Sequence, residues 1–257
     1  MMTTYARKRL LAGVFLLLLP LTAAGNSEEK LQRYLAAVGD KLNPKAQAAI
    51  PRIEGANRRL IAVRGYLRSA ATLDAKWVWS PEEINRYRSS PEFKQAVAEV
   101  EKVKQKFAEL NPGYTLSANT NVRTLDEQIK NWNTTPSIKE TGDALYEESL
   151  KELANYGDQP DAASAARFAR FLQYARLVRP PTLATPGLSP HGQLRAFDFV
   201  VKKGDSIIAS TTSAKIKSEW EDTGWARKLS EAVKQSSRKL NGPLAAPKEP
   251  WHYSYIP

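Results

Sequence analysis

The sequence predicts an α+β protein, with a helical N-terminal region followed by a small antiparallel sheet and flanking helices. Three observations predict it. Helix-start signals crowd the first half, as in Ser80-Pro81-Glu82-Glu83 and Ser90-Pro91-Glu92, where serine caps, proline takes the first helical position and acids fill the first turn. Short β-rich runs appear only after Asn111. The only two histidines, His191 and His252, lie in this second half, each close in sequence to a carboxylate.

The elements follow in order. Residues Glu28 to Ala37 are amphipathic, and Ala46 to Leu73 carry apolar side chains at helical spacing, interrupted by Pro51 and Gly55. A long helix from Pro91 to Leu110 places Phe93, Val97, Val100, Val103 and Phe107 on one face, and Asn111-Pro112-Gly113 ends it. Tyr114 to Ala118 reads as a short strand. Thr124 caps a helix over Leu125 to Trp132, and further helices are expected over Ile138 to Ala154 and Ala162 to Leu177. Pro180-Pro181 and Pro186-Gly187 mark a rigid loop leading to His191. Ala196 to Val201 and Ser206 to Ser210 are β-rich runs split by the hairpin signal Lys202-Lys203-Gly204-Asp205. A helix over Thr223 to Leu240 and a last strand over Trp251 to Tyr255 complete the pattern. The expected division is residues 1–25 as a leader, 26–110 as the helical region and 111–257 as the α+β domain.

Arg7, Lys8 and Arg9 precede the apolar run Leu10 to Leu21, and the small residues Thr22-Ala23-Ala24-Gly25 follow it. This is the pattern of a secretory signal peptide. The run of about 12 residues is shorter than the roughly 20 that span a bilayer as a helix. Export to the periplasm or cell envelope is therefore expected, with no stable membrane insertion after cleavage. The chain has no cysteine, which excludes disulfides, a lipid-anchored cysteine and thiolate metal ligands. Net charge is +11 for the full chain, and removing the leader's three basic residues leaves +8. Such a surface favours anionic envelope polymers. The charges are dispersed among Glu and Asp along helices, so nucleic acid is not an expected partner.

The chemistry-bearing residues fall in two segments. One is Ser189-Pro190-His191-Gly192-Gln193-Leu194-Arg195-Ala196-Phe197-Asp198; the other is Glu249-Pro250-Trp251-His252-Tyr253. Two imidazoles and one carboxylate are the nitrogen and oxygen donors of a hydrolytic zinc site, leaving a fourth position for water. Glu249 supplies a second carboxylate, free to act as general base. No nucleophile-elbow motif accompanies these histidines, which argues against serine hydrolase chemistry.

The two segments resemble the zinc D-Ala-D-Ala carboxypeptidase family, the VanY-type and D-Ala-D-Ala dipeptidase group of peptidoglycan peptidases. The family pattern Ser-x-His-x-x-Gly-x-Ala-x-Asp is met by Ser189, His191, Ala196 and Asp198, with Leu194 in the glycine position; Glu-x-Trp-His is met by Glu249, Trp251 and His252. A third family element is an arginine followed five residues later by glutamine. Gly65-Tyr66-Leu67-Arg68-Ser69 and Asn121-Val122-Arg123-Thr124 compete for it; Arg123 keeps the spacing to Gln128 and sits between a predicted strand and helix. The resemblance covers about residues 111–257 and implies a Hedgehog/D-Ala-D-Ala-peptidase-like fold. It implies His191, Asp198 and His252 as ligands of Zn2+, Glu249 as general base and Arg123 facing the developing oxyanion. Ser189 and Gln128 would bind the peptide, and Tyr253 would line the cleft. The implied substrate is a peptidoglycan stem peptide, and the implied activity is D,D- or L,D-carboxypeptidase. An endopeptidase on the same fold, and a non-catalytic cell-wall binding protein on a degenerate peptidase fold, stand as alternatives. Trp220, Trp225, Trp251, Tyr253 and Tyr255 are expected in the core and cleft wall rather than as a glycan platform.

Overall fold

A computed structural model describes the backbone of residues 21–257 and the side chains from Asn26 onward. The expected leader at residues 1–25 lies almost wholly outside the described residues. In the first half, helices α1 (Leu21–Gly39), α2 (Pro44–Ala49), α3 (Ala56–Ser69), α4 (Leu73–Lys76), α5 (Pro81–Arg88) and α6 (Pro91–Leu110) follow one another. The second half adds β1 (Thr115–Asn119), α7 (Leu125–Thr134), α8 (Pro136–Leu153) and α9 (Ala162–Tyr174). It closes with β2 (Ala196–Lys203), β3 (Ser206–Ala209), α10 (Trp225–Ser236), β4 (Leu240–Asn241) and β5 (His252–Tyr255). No helix among the described residues is long and apolar enough to cross a membrane.

The expected caps form. Ser80 and Thr124 each accept from the backbone N–H three residues on, while Glu83 and Glu127 reach back to the capping residue, so orphan N–H groups of α5 and α7 are satisfied. The described residues form two large apolar cores and a small third cluster of Ile84, Tyr87 and Leu194. One large core joins α1, α2 and α3 to α7, α8 and α9 through Leu31, Tyr34, Leu60, Trp132, Leu145 and Phe168. The other packs α6 and α10 on the sheet through Val100, Phe107, Phe199, Trp220, Leu229 and Tyr253.

These cores do not divide at the boundary expected near Asn111. The amphipathic face of α6, before that point, belongs to the sheet; α7, α8 and α9, after it, complete the helical core. The helix expected to run to Leu240 stops at Ser236, because Ser237 turns inward and donates its hydroxyl to buried Glu99 Oε2 on α6 at 2.7 Å. Leu240 then joins the sheet as β4.

The sheet is antiparallel with strand order β1-β2-β5-β4. On the β2 edge away from β1, β5 pairs with the first residues and β3 with the last. The two-residue period of a strand sorts the faces. Phe197, Phe199 and Val201 of β2, with Tyr253 and Tyr255 of β5, point into the α6–α10 core. Asp198 and His252, which are register partners, take the opposite face.

In the helical core, α8 crosses α3 closely at Gly142. A Cβ there would come within 2.7 Å of the Asn57 carbonyl oxygen and 2.8 Å of its carbon. Alanine favours a helix interior by about 0.8–1.0 kcal/mol over glycine, but forcing an atom into packed backbone costs about 1–3 kcal/mol. Gly142→Ala is expected to lower the unfolding free energy by roughly 1–2 kcal/mol in urea titration; an unchanged or higher midpoint would show that the two helices part without cost.

Candidate metal centre

His191 is presented by a 3₁₀ turn, Pro190–Gln193, with proline in its first position. The turn is closed by Leu194, the only non-glycine among the described residues with positive φ, at 54°. Arg195 N–H returns to Pro190 O at 3.1 Å, and β2 begins at once. Asp198 is the third residue of that strand and His252 the first of β5, so backbone register alone brings them opposite each other. Glu249 lies one turn before His252, in a bend pinned by Glu249 N–H to Leu244 O (3.0 Å) and His252 N–H to Glu249 O (3.2 Å).

The side chains converge. His191 Nε2 is 3.3 Å from His252 Nδ1 and 3.3 Å from Asp198 Oδ2; His252 Nδ1 is 2.9 Å from Asp198 Oδ1. One ligand atom from each residue lies within 4.8 Å of the others, and no second such cluster occurs among the described residues. Glu249 Oε2 is 3.5 Å from His252 Nδ1, and the Arg123 guanidinium is 3.5 Å from Asp198 Oδ2.

This geometry can hold a metal ion. A tetrahedral ion with bonds of about 2.0–2.2 Å keeps its ligand atoms about 3.3–3.5 Å apart. The donor set of two imidazoles and a carboxylate fits, and two inward-facing ring nitrogens at this separation cannot both point a proton at the other. Electrostatics agree. Burial lowers the His191 pKa despite the pull of Asp198, which favours the neutral, ligating ring. Burial alone would raise the Asp198 pKa, but its contacts with His191 and His252 outweigh that and hold it well below the usual carboxylate range. Glu249 moves the other way: burial raises its pKa and the Asp198 charge adds to the rise, while His252 and Arg123 oppose it.

Each expected site residue can now be placed. His191, Asp198, His252, Glu249 and Arg123 come together. Ser189 is buried at the head of the turn, its carbonyl accepting from Gly192 N–H at 2.9 Å. Gln128 is not free to bind substrate. Its Nε2 donates to Arg123 O at 2.8 Å and its Oε1 accepts from Gly187 N–H at 2.9 Å, so its amide is spent on main chain. Tyr253 does not line a cleft either. It is 1% exposed, packed edge-on to Phe199, and burial pushes its phenol pKa up to about 12. Strand alternation explains this: the neighbour of His252 must face the opposite side of the sheet. The expected core aromatics Trp220, Trp225, Trp251 and Tyr255 are buried as well. Arg68 lies far off, its guanidinium 3.4 Å from Gln173 O on α9.

A second set of residues, not marked by any motif, holds the His191 loop. Val78 N–H donates to Gly187 O (2.7 Å), and Trp79 N–H to Gly192 O (3.1 Å). Gln193 Nε2 donates to both Ala75 O and Trp77 O at 2.8 Å. Arg123 N–H donates to His191 O at 3.1 Å. Comparison of the chain with protein-family models, curated proteins and solved structures finds no match.

Gln128→Leu keeps the volume and strands Arg123 O and Gly187 N–H in a buried place. Each orphaned group costs roughly 1–3 kcal/mol, so a clear fall in stability is expected, with weaker metal binding in a chelator competition. Unchanged stability together with unchanged metal affinity would mean that the amide does not hold the loop.

Proposed function

We propose that this chain is an exported zinc metallopeptidase that hydrolyses peptidoglycan stem peptides, most simply as a D,D- or L,D-carboxypeptidase. The observation that carries the reading is the convergence of both motif segments. Residues separated by more than 120 positions, from Arg123 to His252, meet around one point with the donor set and the two accessory charges that the family resemblance implies. All-nitrogen-and-oxygen donors at tetrahedral spacing favour zinc over softer-ligand metals in a chain without cysteine.

His191, Asp198 and His252 would hold the ion, which when bound supplies a water of pKa near 7 and polarises the scissile carbonyl. Glu249 accepts a proton from the attacking water, and its raised pKa suits a group that must hold that proton and then deliver it. The water oxygen bonds to the carbonyl carbon, the C–N bond breaks, and the proton passes to the leaving amine. The products are a shortened peptide with a new carboxylate and a free D-alanine. Arg123, anchored through its own N–H to His191 O and through its carbonyl to Gln128, presents a fixed guanidinium to the carbonyl oxygen as it gains charge. With Gln128 and Tyr253 committed elsewhere, Ser189 is the remaining motif side chain for the substrate's terminal carboxylate.

The test is metal content and D-alanine release by purified protein on a stem pentapeptide, beside Glu249→Gln. About one zinc per chain is expected in both proteins. Turnover should fall at least 100-fold in the variant, in line with loss of a general base. Zinc bound without cleavage of any stem peptide would favour a binding protein on a peptidase fold, and no zinc would sink the reading altogether.

A further inference from the structure

A hollow of about 670 Å³ opens against the residues on either side of Arg123 and has no role in the chemistry above. Its floor is the extended segment Trp77–Trp79, and its walls are Ile84 of α5 and Val122 and Leu125 around the Arg123 turn. Another hollow, about 640 Å³, lies between α8 and α9, and none of its lining residues is bonded to the His191 loop. The hollow at Trp79 is lined by no residue of the centre itself, but two of its walls are tied to it. Val122 and Thr124 flank Arg123, and Val78 and Trp79 are hydrogen-bonded to the loop that carries His191. The bonds that fix the metal ligands therefore also fix this groove.

Its chemistry is uneven. The interior is apolar and aromatic, with charges confined to the rim. Most rim charges are already engaged. Lys45 pairs with Asp74, Asp126 with Arg52, and Glu83 accepts from Ser80 N–H. Arg88, at the last turn of α5, is exposed and its side chain has no ion pair or hydrogen bond among the described residues. The eight residues of α5 carry the wall about 12 Å from the Ser80 end, beside the His191 loop, to Arg88. An extended peptide covers that distance in three to four residues at about 3.3 Å each.

We infer that this groove is a subsite for an acidic stretch of the peptide substrate away from its scissile bond, with Trp79, Ile84 and Leu125 against its apolar part and Arg88, three to four extended residues along the groove from Ser80, against a carboxylate. The inference rests on the peptidase reading. It narrows the substrate from any terminal D-Ala-D-Ala to a longer stem that still carries its acidic residues, and it gives the helical region a part in recognition.

The test uses the full chain with zinc, in a Glu249→Gln background that prevents turnover. Calorimetry measures its affinity for an acidic stem pentapeptide, then repeats the titration with Arg88→Glu added, and separately with Arg238→Glu. Arg238 is an exposed arginine in the bend after α10 and does not line the groove, so its reversal makes the same change in net charge without altering the groove's lining. Reversing Arg88 is expected to raise Kd about tenfold and reversing Arg238 less than twofold, since rim charges act locally at physiological salt. Tryptophan fluorescence should change on peptide addition and lose that change in Trp79→Phe. Equal effects of the two reversals, or none at Arg88, would overturn the groove assignment and leave the peptidase reading standing. Absence of any pentapeptide binding before either reversal would sink both.

Discussion

Asp198 and His252 face each other because β2 and β5 pair in one register, and the rest of the site is arranged around that pair. A slip of one residue would bring Phe197 and Tyr253 to the metal-binding face and drive a carboxylate and an imidazole into the α6–α10 core. The core forbids the slip. Phe197, Phe199 and Tyr253 are almost wholly buried beneath α6 and α10, and each fully buried aromatic side chain is worth about 1.5–3 kcal/mol. Apolar packing on one face of the sheet thus determines ligand geometry on the other. The carboxylate placed there is costly to bury alone, and its contacts with the two imidazoles and Arg123 offset that cost.

The third ligand is under different control. His191 sits outside the sheet on a turn whose position depends on the helical half. Main-chain bonds from Val78 and Trp79, two bonds from Gln193 and the bracket formed by Gln128 tie residues 187–193 to segments about 60 to 120 residues away in sequence. Gly192 shows how close the fit is, since a Cβ there would come within 2.7 Å of Val78 Cγ2 and 2.9 Å of Gln128 Nε2. The helical half is therefore part of the centre's framework, which explains why α7, α8 and α9 interleave with it rather than forming a separate unit.

What the sequence made legible follows from the range of the forces involved. Caps and hairpins are local, and Ser80, Ser90, Thr124 and Gly204 mark them where they occur. The His191, Asp198 and His252 cluster that could hold a metal was legible because imidazoles are scarce in this chain and each lies near a carboxylate. Interactions between distant segments left no such mark. The early end of α10 depends on Glu99, 138 residues before Ser237. The five-residue spacing of Arg123 and Gln128 was visible, but its meaning was not: it lets a side chain one turn into α7 reach back to the carbonyl before the cap. Tyr253 follows His252 at the start of β5, and strand alternation turns it away from the His252 face into the core, whereas the Glu-x-Trp-His-Tyr run reads as one continuous site segment.

Leu194 links the His191 turn to α5. Its φ of 54° is the conformation in which glycine is easiest, and the resembling family pattern has glycine in this position. A leucine there carries a cost of about 1–2 kcal/mol. Its side chain is 2% exposed and packs with Ile84 and Tyr87 of α5, so burial of about 1.5–3 kcal/mol offsets the strain. The turn keeps the backbone that aims His191, and the added side chain draws α5 against it. Since Ile84 also forms one wall of the groove beside Arg123, the departure from glycine couples the metal-binding turn to the surface that carries Arg88. The strain at Leu194 is tolerated because α5 packs against its side chain, so the turn that carries His191 and the helical half hold each other in place.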